Sequence, residues 1–77
     1  MTVSKKISKI SKDSLFFDDR SHVVINEADW KLIWDWTFGD EVSINLALKG
    51  HTVTKDSITV RCVYFTSFNE IYVSGEP

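Results

Sequence analysis

All three tryptophans of this chain lie within one stretch of 14 residues, from Asn26 to Gly39. Asn26 can accept a hydrogen bond from the first turn of a helix, and Gly39 can adopt the left-handed conformation that ends one. The stretch therefore predicts the single helix of an otherwise β-rich domain. At roughly 100° per residue, one side of this helix collects the residues expected to face the core. They are Trp30, Ile33, Trp34, Thr37 and Phe38.

Two apolar residues of this stretch do not fit the core-facing stripe. Leu32 and Trp36 lie nearly opposite it and, being four residues apart, would stack over one another as a second ridge. A buried tryptophan removes roughly 150–250 Å² from water, so an exposed Trp36 forgoes about 4–6 kcal/mol. Tryptophan also anchors many protein interfaces. We therefore expect a partner to cover Trp36.

The identity of that partner stays open between the N-terminal segment of the chain, a second copy in a homodimer, and another macromolecule. Acidic residues would surround the ridge at Asp29, Asp35, Asp40 and Glu41. Such a rim would steer the domain toward a basic surface, including one that normally holds nucleic acid. The alternative is a solvated acidic face that keeps a small protein in solution. Burial of Trp36 against the chain's own sheet would remove this recognition surface.

Short apolar runs on both sides of the predicted helix read as strands. Residues 14–17 and 22–25 are separated by four polar turn formers, which predicts a β-hairpin. After Gly39 the apolar residues alternate with polar ones from Val42 to Leu48, as in a strand with one buried face. Further strand-like runs cover 51–54, 57–66 and 71–73. Because the second half of the run 57–66 is apolar on both sides, we expect it to be covered on both faces.

These patterns predict an α+β fold. The order is a hairpin, one amphipathic helix and a β-meander, which together give an antiparallel sheet with the helix packed across one face. A chain of 77 residues makes one small domain with little room for an enclosed active site. Residues 13–77 are assigned to this domain and residues 1–12 to a basic N-terminal arm.

The formal net charge of −2 is unevenly distributed. Residues 1–12 hold four lysines and no acid, whereas residues 13–41 hold eight acids against Arg20 and Lys31. The sequence leaves open whether the arm is helix, strand or disordered, and a solvated arm or a lysine-guarded edge strand needs no ligand. A nucleic-acid interface would use the basic residues Lys5, Lys6, Lys9, Lys12 and Arg61 together with the strand aromatics Tyr64, Phe65 and Tyr72.

Residues that carry chemistry are sparse. His22 and His51 lack further ligands at metal-site spacing, and the single cysteine, Cys62, sits at an inward-facing strand position. The three glycines are too widely separated for a phosphate loop. We expect no enzymatic activity, no metal and no cofactor. Behind Met1 no long apolar run follows, so we expect neither a secretory signal nor a membrane span, and a cytoplasmic location.

The sequence therefore predicts a non-enzymatic protein-interaction domain that docks on another protein through the Leu32 and Trp36 ridge and its acidic rim. A motifless domain of this size suits an inhibitor or adaptor that a phage or mobile element encodes to act on a host protein. The alternative from another class is a small nucleic-acid-binding module built on the lysine arm and the strand aromatics.

Overall fold

Seven antiparallel strands account for most of the computed structural model, which describes residues 2–47, 50–67 and 70–73, the last four by their backbone. The strands are β1 (Thr2–Ile10), β2 (Ser14–Phe17), β3 (His22–Ile25), β4 (Glu41–Asn45), β5 (His51–Lys55), β6 (Ile58–Ser67) and β7 (Glu70–Val73). Between β3 and β4, a 3₁₀ turn (Glu27–Asp29) leads directly into the α-helix α1 (Trp30–Ile33).

The sheet closes on itself. Strand β1 pairs with β2 and β4, and β3 pairs with β2 and β6, so the ring runs β1-β2-β3-β6-β5-β4 and back to β1. Placing β4 beside β1 after three consecutive strands is a Greek key arrangement. The fold is therefore a closed six-stranded β-barrel, and the predicted α+β sheet with a helix across one face is wrong. Closure gives every strand a buried face without a covering helix.

Strand β7 lies outside this ring. Tyr64 of β6 pairs with Val24 of β3 and also with Val73 of β7. Because a strand has two edges, β7 occupies the edge of β6 opposite β3, next to the part of that edge where β5 pairs. The hairpin predicted for residues 14–17 and 22–25 and the meander of β4, β5 and β6 are confirmed. The predicted alternation beyond Asn45 ends with Leu48, which lies outside the described residues.

Two β-bulges reset which side chains point into the barrel. In β1, Ile7 pairs with Phe17 and Lys9 pairs with Phe16 of β2. Two steps along β1 therefore match one step along β2, and Ser8 is the extra residue. The same occurs in β6, where Val63 is inserted between the pairs made by Cys62 and Tyr64. Each bulge inverts the alternation that follows it. The expectation that both faces of the second half of β6 are covered is therefore wrong, because Val63 is exposed.

The barrel interior is filled by apolar side chains from the strands and from the connection between β3 and β4. The buried residues are Ile7, Leu15, Phe17, Val23, Ile25, Ile33, Trp36, Val42, Ile44, Val53, Val60, Cys62 and Phe65. Ile33 and Trp36 come from the connection and are 0% and 5% exposed. They contribute to a core that the strands alone would leave open at one end.

The connection, residues 26–40, is the cap of the barrel. At its start, the Asn26 amide donates to the Arg61 carbonyl on β6 at 2.8 Å. At its end, the Gly39 amide donates to the Ile7 carbonyl on β1 at 2.8 Å, and the Ile7 amide donates to the Asp40 carbonyl at 2.9 Å. The cap therefore crosses the end of the barrel where β3 stops and β4 begins.

The predicted helix from Asn26 to Gly39 is shorter than expected. The Asn26 side chain does accept from the Ala28 amide at 3.0 Å, and Gly39 does take a positive φ of 90°. However, α1 ends at Ile33, and the Trp36 amide donates to the Ile33 carbonyl, three residues back, at 3.0 Å. In the described part of the chain, no helix is long and apolar enough to cross a membrane.

A polar cluster fixes the turn between β2 and β3 to β1. The Lys5 ammonium pairs with Asp19 and lies 5.6 Å from the centre of the Phe65 ring. The other carboxylate oxygen of Asp19 accepts from the amide of Ser21 at 3.0 Å and from its hydroxyl. Burial alone would raise the pKa of Asp19, but the hydrogen bonds from Lys5 and Ser21 outweigh it and lower that pKa to about 2.

Because Trp36 is buried and Trp34 is half-exposed, the two substitutions to alanine are a matched pair. We expect Trp36→Ala to lower the free energy of unfolding by about 3–5 kcal/mol, since it leaves a cavity in the core. Trp34→Ala should cost about 1 kcal/mol or less. Urea unfolding of both variants measures the difference, and equal losses would contradict the inward orientation of Trp36.

The pKa of Asp19 predicts a pH dependence of stability. Its folded-state value of about 2 lies below the ordinary 3.8, so the ionised carboxylate stabilises the fold above that range. This contribution is lost as the pH falls from about 4 to about 2. The difference in unfolding free energy between the wild type and Asp19→Asn should therefore narrow over that interval. Asp18→Asn, which removes a carboxylate from the same turn and keeps the pair of Asp19 with Lys5, is the control and should keep the loss of stability that Asp19 causes over that interval.

Candidate functional site

Three large apolar side chains of the cap are exposed. Leu32, Trp34 and Phe38 are 43%, 56% and 75% exposed. We call these three residues the cap patch. Large aromatic side chains that remain open to water on a small domain commonly mark a contact surface.

Tryptophan side chains also hold the cap on the turn between β1 and β2. The Trp34 indole nitrogen donates to the Lys12 carbonyl at 3.4 Å, and the Trp30 indole nitrogen donates to the Ile25 carbonyl at 2.8 Å. The Lys12 ammonium lies 5.0 Å from the centre of the Trp30 ring, a cation–π contact. These contacts use the polar edge of Trp34 while more than half of its surface stays open.

An ion pair connects the cap to β6. One carboxylate oxygen of Asp29 accepts from the Arg61 amide at 2.8 Å and from its Nε at 3.2 Å, and the other accepts from Nη2 at 3.4 Å. These hydrogen bonds hold the pKa of Asp29 below its usual value and raise that of Arg61. Asp29 was predicted as part of an acidic rim and Arg61 as a nucleic-acid contact. The structure instead pairs them with each other.

The remaining predicted rim residues are divided between structural and exposed positions. The Asp40 carboxylate accepts from the Thr37 amide at 2.9 Å and lies 3.7 Å from the Lys55 ammonium, so it stabilises the end of the cap. Asp35 is exposed. Glu41 is exposed at the start of β4 and lies opposite Lys6 in the register with β1.

The predicted ridge of Leu32 and Trp36 is not present on the surface. Leu32 is exposed, but Trp36 belongs to the core. The helical projection also placed Trp34 and Phe38 inside, whereas they are the most exposed apolar residues of the cap. The sequence did contain a signal for this arrangement, because Trp30, Ile33 and Trp36 recur every three residues. That spacing matches the three residues per turn of a 3₁₀ helix.

The predicted lysine arm is a strand of the barrel. Its residues 2–10 form β1 between β2 and β4. Lys5 is paired with Asp19, Lys12 lies over Trp30, and Lys9 lies 5.5 Å from the centre of the Phe16 ring. Lys6 is exposed.

The strand aromatics predicted to stack on nucleic acid are in different environments. Phe65 is buried at 3% exposure and cannot stack on a base, while Tyr64 is half-buried on the outer face. The side chain of Tyr72 lies outside the described residues. Tyr64 is therefore the member of this set that the structure places at the surface.

The single cysteine of the chain lies in the interior of the barrel. Cys62 is buried, and this burial, with the charge of Asp29, raises its pKa to about 12, so the thiol is protonated near neutral pH and is a poor nucleophile. Within the described ranges, no three His, Cys, Asp or Glu residues come together in a way that could hold a metal ion. Comparisons with protein-family models, curated proteins and solved structures found no match.

The carboxylates of Asp29 and Asp35 provide a test of how the cap is attached. Asp29→Ala should lower the free energy of unfolding by about 1–2 kcal/mol, because it leaves the Arg61 amide without its acceptor. Asp35→Ala removes a charge at an exposed position of the same cap and should change stability by about 0.5 kcal/mol or less. Urea unfolding distinguishes the two, and a neutral Asp29→Ala would contradict the attachment.

Proposed function

We propose that this protein is a non-enzymatic interaction domain that binds another protein through the cap patch. The observation that supports the proposal is the exposure of Trp34 and Phe38 on a connection that buries Ile33 and Trp36. The chain places two aromatic side chains in water within the segment that anchors itself to the barrel through Ile33 and Trp36. Covering them on a partner would recover free energy that folding leaves unused.

The cap that carries this patch is attached to the barrel at several points. Both of its ends are hydrogen-bonded to strands, Asp29 is paired with Arg61, and Ile33 and Trp36 fill the barrel. A surface that is already ordered loses less conformational entropy on binding than a mobile loop does. The patch is therefore suited to enter an apolar groove without rearranging the domain.

The charges beside the patch favour a basic partner. Glu27, Asp35 and Glu41 are exposed in and next to the cap, against the exposed Lys31 within it and the exposed Lys12 beside Trp30. Long-range attraction from such an acidic excess increases the rate of encounter with a positively charged surface. We therefore propose an apolar groove with a basic rim as the partner site. Inhibition or bridging of the partner would follow from occupying that groove.

The proposal predicts that Trp34→Ala and Phe38→Ala remain folded but lose the partner. Each removes a central aromatic contact, and the loss of one interface anchor typically costs 2 kcal/mol or more, which is about 30-fold in affinity. Affinity purification from the source cells with wild-type and variant baits, quantified by mass spectrometry, measures the retained partner. Salt titration of the complex measures the contribution of the acidic residues.

The control for this experiment is Val63→Ala. Val63 has the same exposed fraction as Leu32 but lies on the β6 bulge, outside the cap segment. A partner retained by wild type and by Val63→Ala and lost by Trp34→Ala supports the proposal. Equal recovery with all three baits contradicts it. A wild type that sediments as a dimer while Trp34→Ala is monomeric would assign the patch to self-association and also overturn it.

A further inference from the structure

A second surface, separate from the cap patch, runs across the outside of four neighbouring strands. Phe16 and His22 face each other in the register of β2 and β3, with ring centres 5.1 Å apart and planes inclined by 23°. The Tyr64 ring of β6 meets His22 edge-on at 6.0 Å. On the other side, Lys9 of β1 pairs with Phe16 and places its ammonium 5.5 Å from the Phe16 ring centre. We call these four residues the aromatic row.

Both bulges of the barrel contribute to this row. Lys9 follows Ile7 by two residues and would point into the barrel if β1 were regular, but the extra residue Ser8 turns it outward. Tyr64 would likewise follow Cys62 into the core, and the extra residue Val63 turns it outward beside His22. Bulges often redirect a side chain toward a functional site. The bulge in β1 thus places the Lys9 ammonium, and the bulge in β6 the Tyr64 ring, on the same outer surface.

The strands that carry the row contain no acidic residue. Neither β1, β2, β3 nor β6 includes an aspartate or a glutamate. The nearest carboxylates in sequence lie in the turns at Asp13, Asp18 and Asp19, and Asp19 is paired with Lys5. Lys6 and Lys9 are exposed on β1. Lys9 is thus the exposed cation beside the rings, whereas Lys6 lies opposite Glu41 of β4.

We propose that the aromatic row binds single-stranded nucleic acid. Half-buried rings on adjacent strands can stack with bases, and each such stack is tolerant of base identity. The Lys9 ammonium is on an exposed, flexible side chain, so it can move from the Phe16 ring to a backbone phosphate while a base takes its place. A nucleic-acid strand supplies the planar groups and the negative charge together. The site does not use the cap patch and does not depend on the function proposed for it.

The test is fluorescence anisotropy with a fluorescein-labelled thymidine oligonucleotide of about 12 nucleotides, a length within the site sizes of small barrels that bind single strands. The wild type should bind it, with affinity that falls as salt rises from about 50 to 200 mM. Phe16→Leu and Tyr64→Leu should each weaken binding about tenfold. Lys9→Gln should lower the slope of log affinity against log salt by about 0.7, the value for one phosphate contact on a single strand.

Two control variants on the cap distinguish binding at the aromatic row from non-specific electrostatic attraction. Lys31→Gln removes one exposed lysine and Trp34→Leu one exposed aromatic ring, and both should bind the oligonucleotide like the wild type. Circular dichroism and urea unfolding establish that each variant is folded, and Lys9→Gln keeps the test valid if a ring substitution destabilises the barrel. Binding that is absent at about 100 µM wild type, or equally weakened by Lys31→Gln and Lys9→Gln, overturns the proposal. So does a protein partner that is lost by Phe16→Leu without any oligonucleotide binding.

Discussion

The pairing of β3 with β6 is the contact on which the rest of the structure depends. Without it the six strands would form an open sheet with β3 and β6 as free edges and one apolar face exposed. When β3 pairs with β6, the apolar faces of all six strands point into one interior, and residues such as Val23 and Val60 become inaccessible to water. The paired residues are about forty positions apart in the chain, so this contact costs more chain entropy than the pairing of strands within a hairpin.

Closure of the barrel leaves an open end that the cap fills. A small barrel is filled by its own side chains but stays open at its ends, and the strands here leave room at the end where β3 stops. Ile33 and Trp36 occupy that end, and the hydrogen bonds at both ends of the cap set its length. A helix of full predicted length would have turned its 3.6-residue face toward the barrel and brought Trp34 inward. The shorter helix and tighter turns bring Trp36 in and leave Trp34 and Phe38 outside.

The sequence predicted the local elements better than their assembly. The alternation of Val42 with Ile44 and the turn at Asp18 and Asp19 were enough to place strands and a hairpin, because both signals are local. The same alternation describes a flat sheet and a closed barrel, so it could not predict closure. Neither Ser8 nor Val63 has a residue type that marks a bulge, and a regular alternation would have placed Tyr64 on the same face as Cys62. In the cap, the prediction assumed the 3.6-residue period of an α-helix, whereas Trp30, Ile33 and Trp36 are spaced by three residues.

The distribution of charge explains why two functional hypotheses looked like rivals in the sequence. Acids concentrate in the turns and in and beside the cap, whereas three of the seven lysines lie on β1. In the folded chain, part of the acidic and part of the basic charge is neutralised, because Asp29 pairs with Arg61 and Asp19 pairs with Lys5. What remains exposed is an apolar patch with acidic neighbours on the cap and a row of rings with Lys9 on the barrel wall. The two proposed surfaces share no residue, so a substitution in one leaves every side chain of the other in place.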